Sequence, residues 1–193
     1  VVKPVEGLWE VGSVQPELPR EAPRELPVQA GLVERAWAVL ETVLDPEVPA
    51  LSVCDLGLVR DVQVGALQGP TGLTVVLTPT YSGCPATEVI GQAVHQALTD
   101  AGLGPVTVCW RRSPAWTTDW ISEVGREKLR RYGIAPPGPT SASRPIHIAV
   151  RDIACPRCAT LHTERLTPFG STACKALYRC LDCREPFEHF KPI

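Results

Sequence analysis

Two cysteine pairs near the C-terminal end constrain this chain more than any other feature: Cys155-Pro156-Arg157-Cys158 and Cys180-Leu181-Asp182-Cys183. Each pair holds two residues between its sulfurs, and 21 residues lie between the pairs. A C-x2-C turn lets two thiolates grip one ion, and a second turn closes a tetrahedron. Four protein ligands leave no position for water or substrate, so the expected site is structural, not catalytic. Zinc is the leading ion; iron in a rubredoxin-like site is the alternative, because both accept tetrahedral sulfur. His162 and His189 could replace a thiolate, but four cysteines already complete the shell. A module this short is hard to stabilise by its core alone, so the metal is expected to contribute folding energy.

The pairs also bear on compartment. Eight cysteines could staple a secreted protein. The first 30 residues carry charges and five prolines but no apolar h-region, so the expectation is a reduced, cytoplasmic protein with metal-ligating cysteines. No run of 18 apolar residues is present, which excludes an obvious membrane span. The net charge of -2 argues against a general nucleic-acid or membrane-surface binder. From Ile146 to Ile193 there are seven Lys/Arg against five Asp/Glu. Four thiolates around a divalent ion cancel that excess, so the ribbon lacks the electrostatic footprint for phosphate. Phe187, Phe190, Tyr178 and Leu177 suggest instead a protein-binding surface or the small core of the ribbon itself.

The rest of the chain reads as α/β (α+β). Residues 1–29 are rich in proline and charge and read as an extended or disordered arm. Residues 30–133 read as a small α/β domain with a mixed three-stranded sheet, residues 134–145 as a proline-rich linker, and residues 146–193 as a β-rich zinc ribbon. Leu32, Val33, Ala36, Leu40, Val43 and Leu44 recur at helical spacing, and Leu44-Asp45-Pro46 should end that helix. Leu56–Val64 and Leu73–Thr78 are strand-like and should form an antiparallel hairpin. A helix from Pro85 should bury Ala86, Val89, Ile90, Ala93, Val94, Ala97 and Leu98. Val106–Trp110 should then lie parallel to the second strand through a right-handed crossover. A last helix, from about Asp119 to Tyr132 and carrying Ile121, Val124 and Leu129, should stop at Gly133.

Within this frame, Thr78-Pro79-Thr80-Tyr81-Ser82-Gly83-Cys84-Pro85 joins a strand to a helix at the carboxyl end of the sheet, where open α/β sheets place ligands. Pro85 suits a first helical position, which would make Cys84 the N-cap. Free amides and the helix dipole would then lower its thiol pKa and favour a metal-binding thiolate. Thr80, Tyr81 and Ser82 supply hydroxyls, and Asp55 could approach from a neighbouring loop. The alternative readings are a small buried cap for Cys84 and a turn residue for Asp55. His95 lies three helical turns from Cys84, too far to act as its base, so no Cys/His hydrolase is expected. Cys54 and Cys109 receive no role; Cys174 is left over, read first as buried in the ribbon and alternatively as a spare ligand during metal transfer.

Asp45-Pro46-Glu47-Val48-Pro49, Asp55-Leu56-Gly57-Leu58-Val59, Thr78-Pro79-Thr80 and Gly83-Cys84-Pro85 together resemble the MIP18 (DUF59) family. The tail, from Cys155-Pro156-Arg157-Cys158 through Phe169-Gly170-Ser171-Thr172-Ala173-Cys174 to Phe190-Lys191-Pro192-Ile193, is similar to the D-subunit family of phenylacetyl-CoA oxygenases (epoxidases). Pro114-Ala115-Trp116-Thr117-Thr118-Asp119-Trp120 shares that similarity. The resemblance covers residues 31–193 and implies aerobic phenylacetate degradation, where a di-iron oxygenase and a flavin/iron–sulfur reductase epoxidise the ring. This chain has no Glu-x-x-His helix pair and no G-x-G-x-x-G loop. The resemblance therefore implies a non-catalytic accessory. Cys84 would transiently hold iron or an iron–sulfur cluster, with Asp55 and Thr80 shaping the site. The implied partners are the oxygenase and reductase subunits and the iron–sulfur assembly machinery; a homo-oligomer is left open.

Overall fold

A computed structural model describes residues 26–65, 72–81, 83–140 and 153–193. Most of the N-terminal arm, Ser82, the tip of the first hairpin, the distal part of the linker and the first residues of the ribbon lie outside them. Helix α1 (Leu26–Leu40) precedes a three-stranded sheet of β1 (Val59–Val64), β2 (Leu73–Leu77) and β3 (Val106–Trp110). Helix α2 (Thr87–Asp100) crosses from β2 to β3. The order is β1-β2-β3, with β1 antiparallel and β3 parallel to the central strand. The sheet is therefore mixed, as the hairpin-plus-crossover pattern requires. All five residues of β2 are buried, which fits a central strand covered on both faces.

Several boundaries differ from the sequence reading. Helix α1 ends at Leu40, not Leu44, because the backbone tightens there: Thr42 N–H donates to Val39 O and Val43 N–H to Leu40 O, while the Thr42 hydroxyl also donates to Val39 O. Residues 41–58 then form a packed loop, not an early strand. Val48, Leu51, Val53, Leu56 and Leu58 are buried in it, and Asp45 Oδ1 accepts the Glu47 and Val48 amides at 2.9 and 2.8 Å. The last helix, α3 (Glu123–Tyr132), is preceded by a 3-10 turn at Thr118–Trp120. Ser122 caps α3 by accepting the Gly125 amide, and Gly133 ends it at φ 91°. Val89, expected inward, is exposed, as is Val124; the buried stripes run through Ile90, Val94 and Leu98, and through Leu129.

The C-terminal sheet has the order β4-β7-β6-β5, from β4 (Ile134–Ala135), β5 (Thr163–Thr167), β6 (Lys175–Cys180) and β7 (Pro186–Phe190). Residues 134 and 135, which the proline count assigns to a linker, pair in parallel with Glu188 and His189 as the edge strand β4. Phe190 and Cys174 belong to the same apolar core as Leu56, Leu58 and Trp116. Trp116 donates its indole N–H to Leu56 O at 2.9 Å. Thr118 N–H donates to Ile193 O at 3.1 Å. Tyr178 and Phe187 stack at 5.8 Å inside a smaller ribbon core. The four residues read as a docking surface or core therefore divide: Phe190 fills the main core, Tyr178 and Phe187 the ribbon core, and Leu177 is half-buried.

Gly57 marks where the ribbon-bearing segment meets the packed loop. Its φ is +66°, and a Cβ there would stand 2.5 Å from Trp120 O. Only glycine satisfies both conditions.

Candidate functional site

The four paired cysteines converge. Their sulfurs all lie within 4.8 Å of one another, with Cys155–Cys183 at 3.8 Å and Cys158–Cys180 at 3.5 Å. A tetrahedron with metal–sulfur bonds of about 2.3 Å has sulfur edges of about 3.8 Å, so the donor set fits one ion. The two turns are built alike. Cys155 N–H donates to Thr160 O and Cys180 N–H to Glu185 O. The residue after each second cysteine, Ala159 or Arg184, has a left-handed φ of 60° or 64°. Neither is glycine, so each turn carries local strain that the closure of the site must outweigh. His162 stays outside the cluster, 2.9 Å from Asp182 Oδ1. His189 is buried, its Nε2 has no hydrogen-bond partner, and burial pushes its pKa down to about 4.

Cys84 lies elsewhere, at the wall of a cavity of about 20 Å³ between the packed loop, the β2–α2 turn and the ribbon. That is room for one water-sized occupant. Thr80 and Cys84 both line it, as do Asp45, Glu47 and Cys174. Cys84 is not the N-cap of α2. Cys84 to Ala86 form a turn, and the helix starts at Thr87 with Ala86 in the cap position. The thiol is accordingly not lowered. Burial pushes it up, the carboxylates of Glu47 and Asp45 push the same way, and the Ala86 amide and Thr80 hydroxyl only partly oppose them.

Asp55 is not among the residues lining this cavity. Its Oδ2 accepts Ser52 N–H at 2.9 Å and the Ser52 hydroxyl at 3.0 Å, and lies 2.6 Å from Lys128 Nζ. Its backbone carbonyl accepts Ser122 N–H. Burial would raise this carboxyl, but the hydrogen bonds from Lys128 and Ser52 outweigh it and hold the pKa below the usual range. In this position Asp55 ties the loop to α3. The carboxylates beside Cys84 are instead Asp45 and Glu47, and the second thiol is Cys174. Of these, Asp45 and Glu47 were legible only as part of a motif. Cys174 is legible in the sequence as a leftover or a spare ligand, with nothing there to say that it meets Cys84.

Over residues 34–109 the chain matches the family described as iron-sulfur cluster assembly protein, and over residues 140–191 the PaaD zinc beta ribbon domain. It is 51% identical to the D subunit of the 1,2-phenylacetyl-CoA epoxidase of Escherichia coli (strain K12), over 83% of this chain and 93% of that one. It is 33% identical to the Fe-S protein maturation auxiliary factor YitW of Bacillus subtilis (strain 168), over 53% of this chain and 97% of that one. A crystal structure of a DUF59 domain from Bacillus anthracis, 26% identical, aligns with a TM-score of 0.49 over 54% of this chain and 96% of that one. Among the described residues, no helix is long and apolar enough to cross a membrane.

Proposed function

The chain belongs to the family of 1,2-phenylacetyl-CoA epoxidase D subunits, and from that premise we propose that it is a cytoplasmic accessory protein that assists iron or iron–sulfur maturation of the oxygenase and reductase components through Cys84. The observation that carries this reading is the half-buried Cys84 thiol in a cavity shared with Thr80, Asp45 and Glu47. Burial and the neighbouring Glu47 and Asp45 carboxylates raise its pKa and favour the neutral thiol. Binding an iron cargo therefore displaces a proton, and the thiol can take it back on release. A thiol that reverts to its neutral form lets go of its cargo, which suits transfer better than permanent storage.

Cys155, Cys158, Cys180 and Cys183 hold a resident zinc ion in this reading. Zinc supplies no reaction step here: it cross-links the two turns of the ribbon. Asp55 acts at one remove, by fixing the loop that carries Asp45 and Glu47. The partners are the oxygenase, the reductase and the cluster-assembly machinery that loads Cys84.

Reconstitution tests this. The full chain, loaded with ferrous iron and sulfide under reducing conditions, should transfer metal to the metal-free reductase or oxygenase faster than the same ions free in solution. The Cys84→Ser variant should give no acceleration. Equal transfer by both forms would sink the proposal.

A second reading, a structural component held in the complex during turnover, is favoured by the exposed Leu161, Leu166 and Phe169 on the ribbon. It predicts stable co-purification with the oxygenase and loss of activity on its removal from mature components.

A further inference from the structure

Cys84 and Cys174 come from different parts of the chain, the β2–α2 turn and the start of β6. They line one cavity of about 20 Å³ together with Asp45 and Glu47. Cys174 is 95% buried and its hydroxyl neighbour, Thr172, lies 3.0 Å from its sulfur. Asp45 is 93% buried, and only its Oδ1 is engaged by backbone amides. The nearby cation is Lys175, itself buried and paired with Glu188 Oε2 at 2.9 Å. Two thiols and two carboxylates around one small cavity form a mixed sulfur–oxygen donor set. Their charges repel one another when deprotonated, a repulsion that a divalent cation would relieve.

Resting on the maturation reading above, we propose that Cys174 is the second thiolate ligand of the cargo ion held by Cys84, with Glu47 and Asp45 supplying oxygen donors. The ion class is a divalent first-row metal, ferrous iron being the one the reading requires. On binding, two sulfur–metal bonds form and both thiols give their protons to solvent; the metal keeps its oxidation state. On release the bonds break and both thiols are reprotonated.

The ribbon thereby contributes a ligand to cargo binding. Among the described residues, the four ribbon cysteines form the only group of three or more His, Cys, Asp or Glu side chains already within mutual ligating distance. The Cys84–Cys174 set must close on its ion, so it holds that ion less firmly than a preformed site would. Weak, exchangeable binding is what a carrier needs.

Cobalt(II) titration of the full, zinc-loaded chain tests this. The expected result is one further equivalent of cobalt with thiolate-to-cobalt charge-transfer absorption. Cys84→Ser and Cys174→Ser should each weaken its binding by about tenfold or more and remove roughly half of that absorption. Full affinity and full absorption in Cys174→Ser, with loss in Cys84→Ser, would overturn the second-ligand assignment and leave the Cys84 reading standing. No cobalt binding beyond the zinc site in the unmodified chain would overturn both. Zinc content and the urea midpoint report whether Cys174→Ser folds. If it does not, Glu47→Gln, at a half-buried position, reads the same site: several-fold weaker binding is expected, and unchanged binding would overturn the role of Glu47 as a donor and the four-donor site with it.

Discussion

The ring of Phe190, the last residue of β7, lies 6.2 Å from the ring of Trp116. One partner ends the ribbon sheet and the other sits on the loop after β3. Both are buried in the main core. The ribbon is therefore seated in the α/β unit by an aromatic contact and by the β4–β7 pairing.

Removing Phe190 should therefore destabilise the whole chain, not only the ribbon. Phe190→Ala is expected to cost about 3–5 kcal/mol, the range for a buried aromatic truncated in a core. Urea unfolding, followed by tryptophan fluorescence and by far-UV dichroism, should show both signals moving together to lower urea. A loss below about 1 kcal/mol would mean that the ring does not anchor the two parts.

The ribbon cluster predicts one metal ion per chain, with zinc expected by elemental analysis. Cys158→Ser should abolish that ion and lower the melting temperature, because metal binding is part of folding. Arg184 offers a finer test. Its left-handed φ of 64° is costly for a side chain with a Cβ. Arg184→Gly should be neutral or stabilising by up to about 1 kcal/mol with the metal content unchanged. A clear loss of stability would show that Arg184 contributes more than backbone geometry.

The metal turns were legible from four cysteines because two-residue spacing dictates both the ligands and the local geometry. The mixed sheet followed from the hairpin and crossover for the same local reason. What stayed hidden depends on long-range packing. Nothing near Cys174 in sequence points to Cys84, since the two meet only when β6 folds against the α/β unit. Pro85 reads as a helix start, but the turn runs two residues further before α2 begins at Thr87, which removes the dipole from Cys84. Asp55 and Asp45 look interchangeable as loop acids. Their partners separate them: Lys128 and Ser52 hold one, and the other faces the thiol cavity.

Asp55 should matter for stability. Lys128 is partly exposed, so the ion pair itself contributes little; the buried bonds from Ser52 contribute more. Asp55→Asn should cost about 1–3 kcal/mol. The folded pKa of Asp55 lies below its unfolded value of about 3.9. Its contribution is thus complete above that unfolded value and disappears as pH falls through the lower folded pKa. Unfolding measured from pH 5 downward should be less steep in Asp55→Asn than in the unmodified chain.

His189 adds a second acid-sensitive term in a different window. Its folded pKa of about 4 lies below the ordinary 6.5. The unfolded chain therefore binds a proton that the folded chain refuses between these values. Stability should be full above about pH 6.5 and fall as pH drops toward 4, by up to roughly 3 kcal/mol. In His189→Gln that slope should be absent. A slope equal to that of the unmodified chain would show that His189 is not its source.

If Cys84 serves maturation, the metal content of the client proteins depends on it. The direct measurement is the iron and acid-labile sulfide of the oxygenase and reductase, co-expressed with this protein, without it, and with its Cys84→Ser variant. Full loading is expected in the first case and depleted metal in the other two, with the variant itself folded and zinc-loaded. Equal iron and sulfide in all three would contradict it and leave a structural or regulatory role.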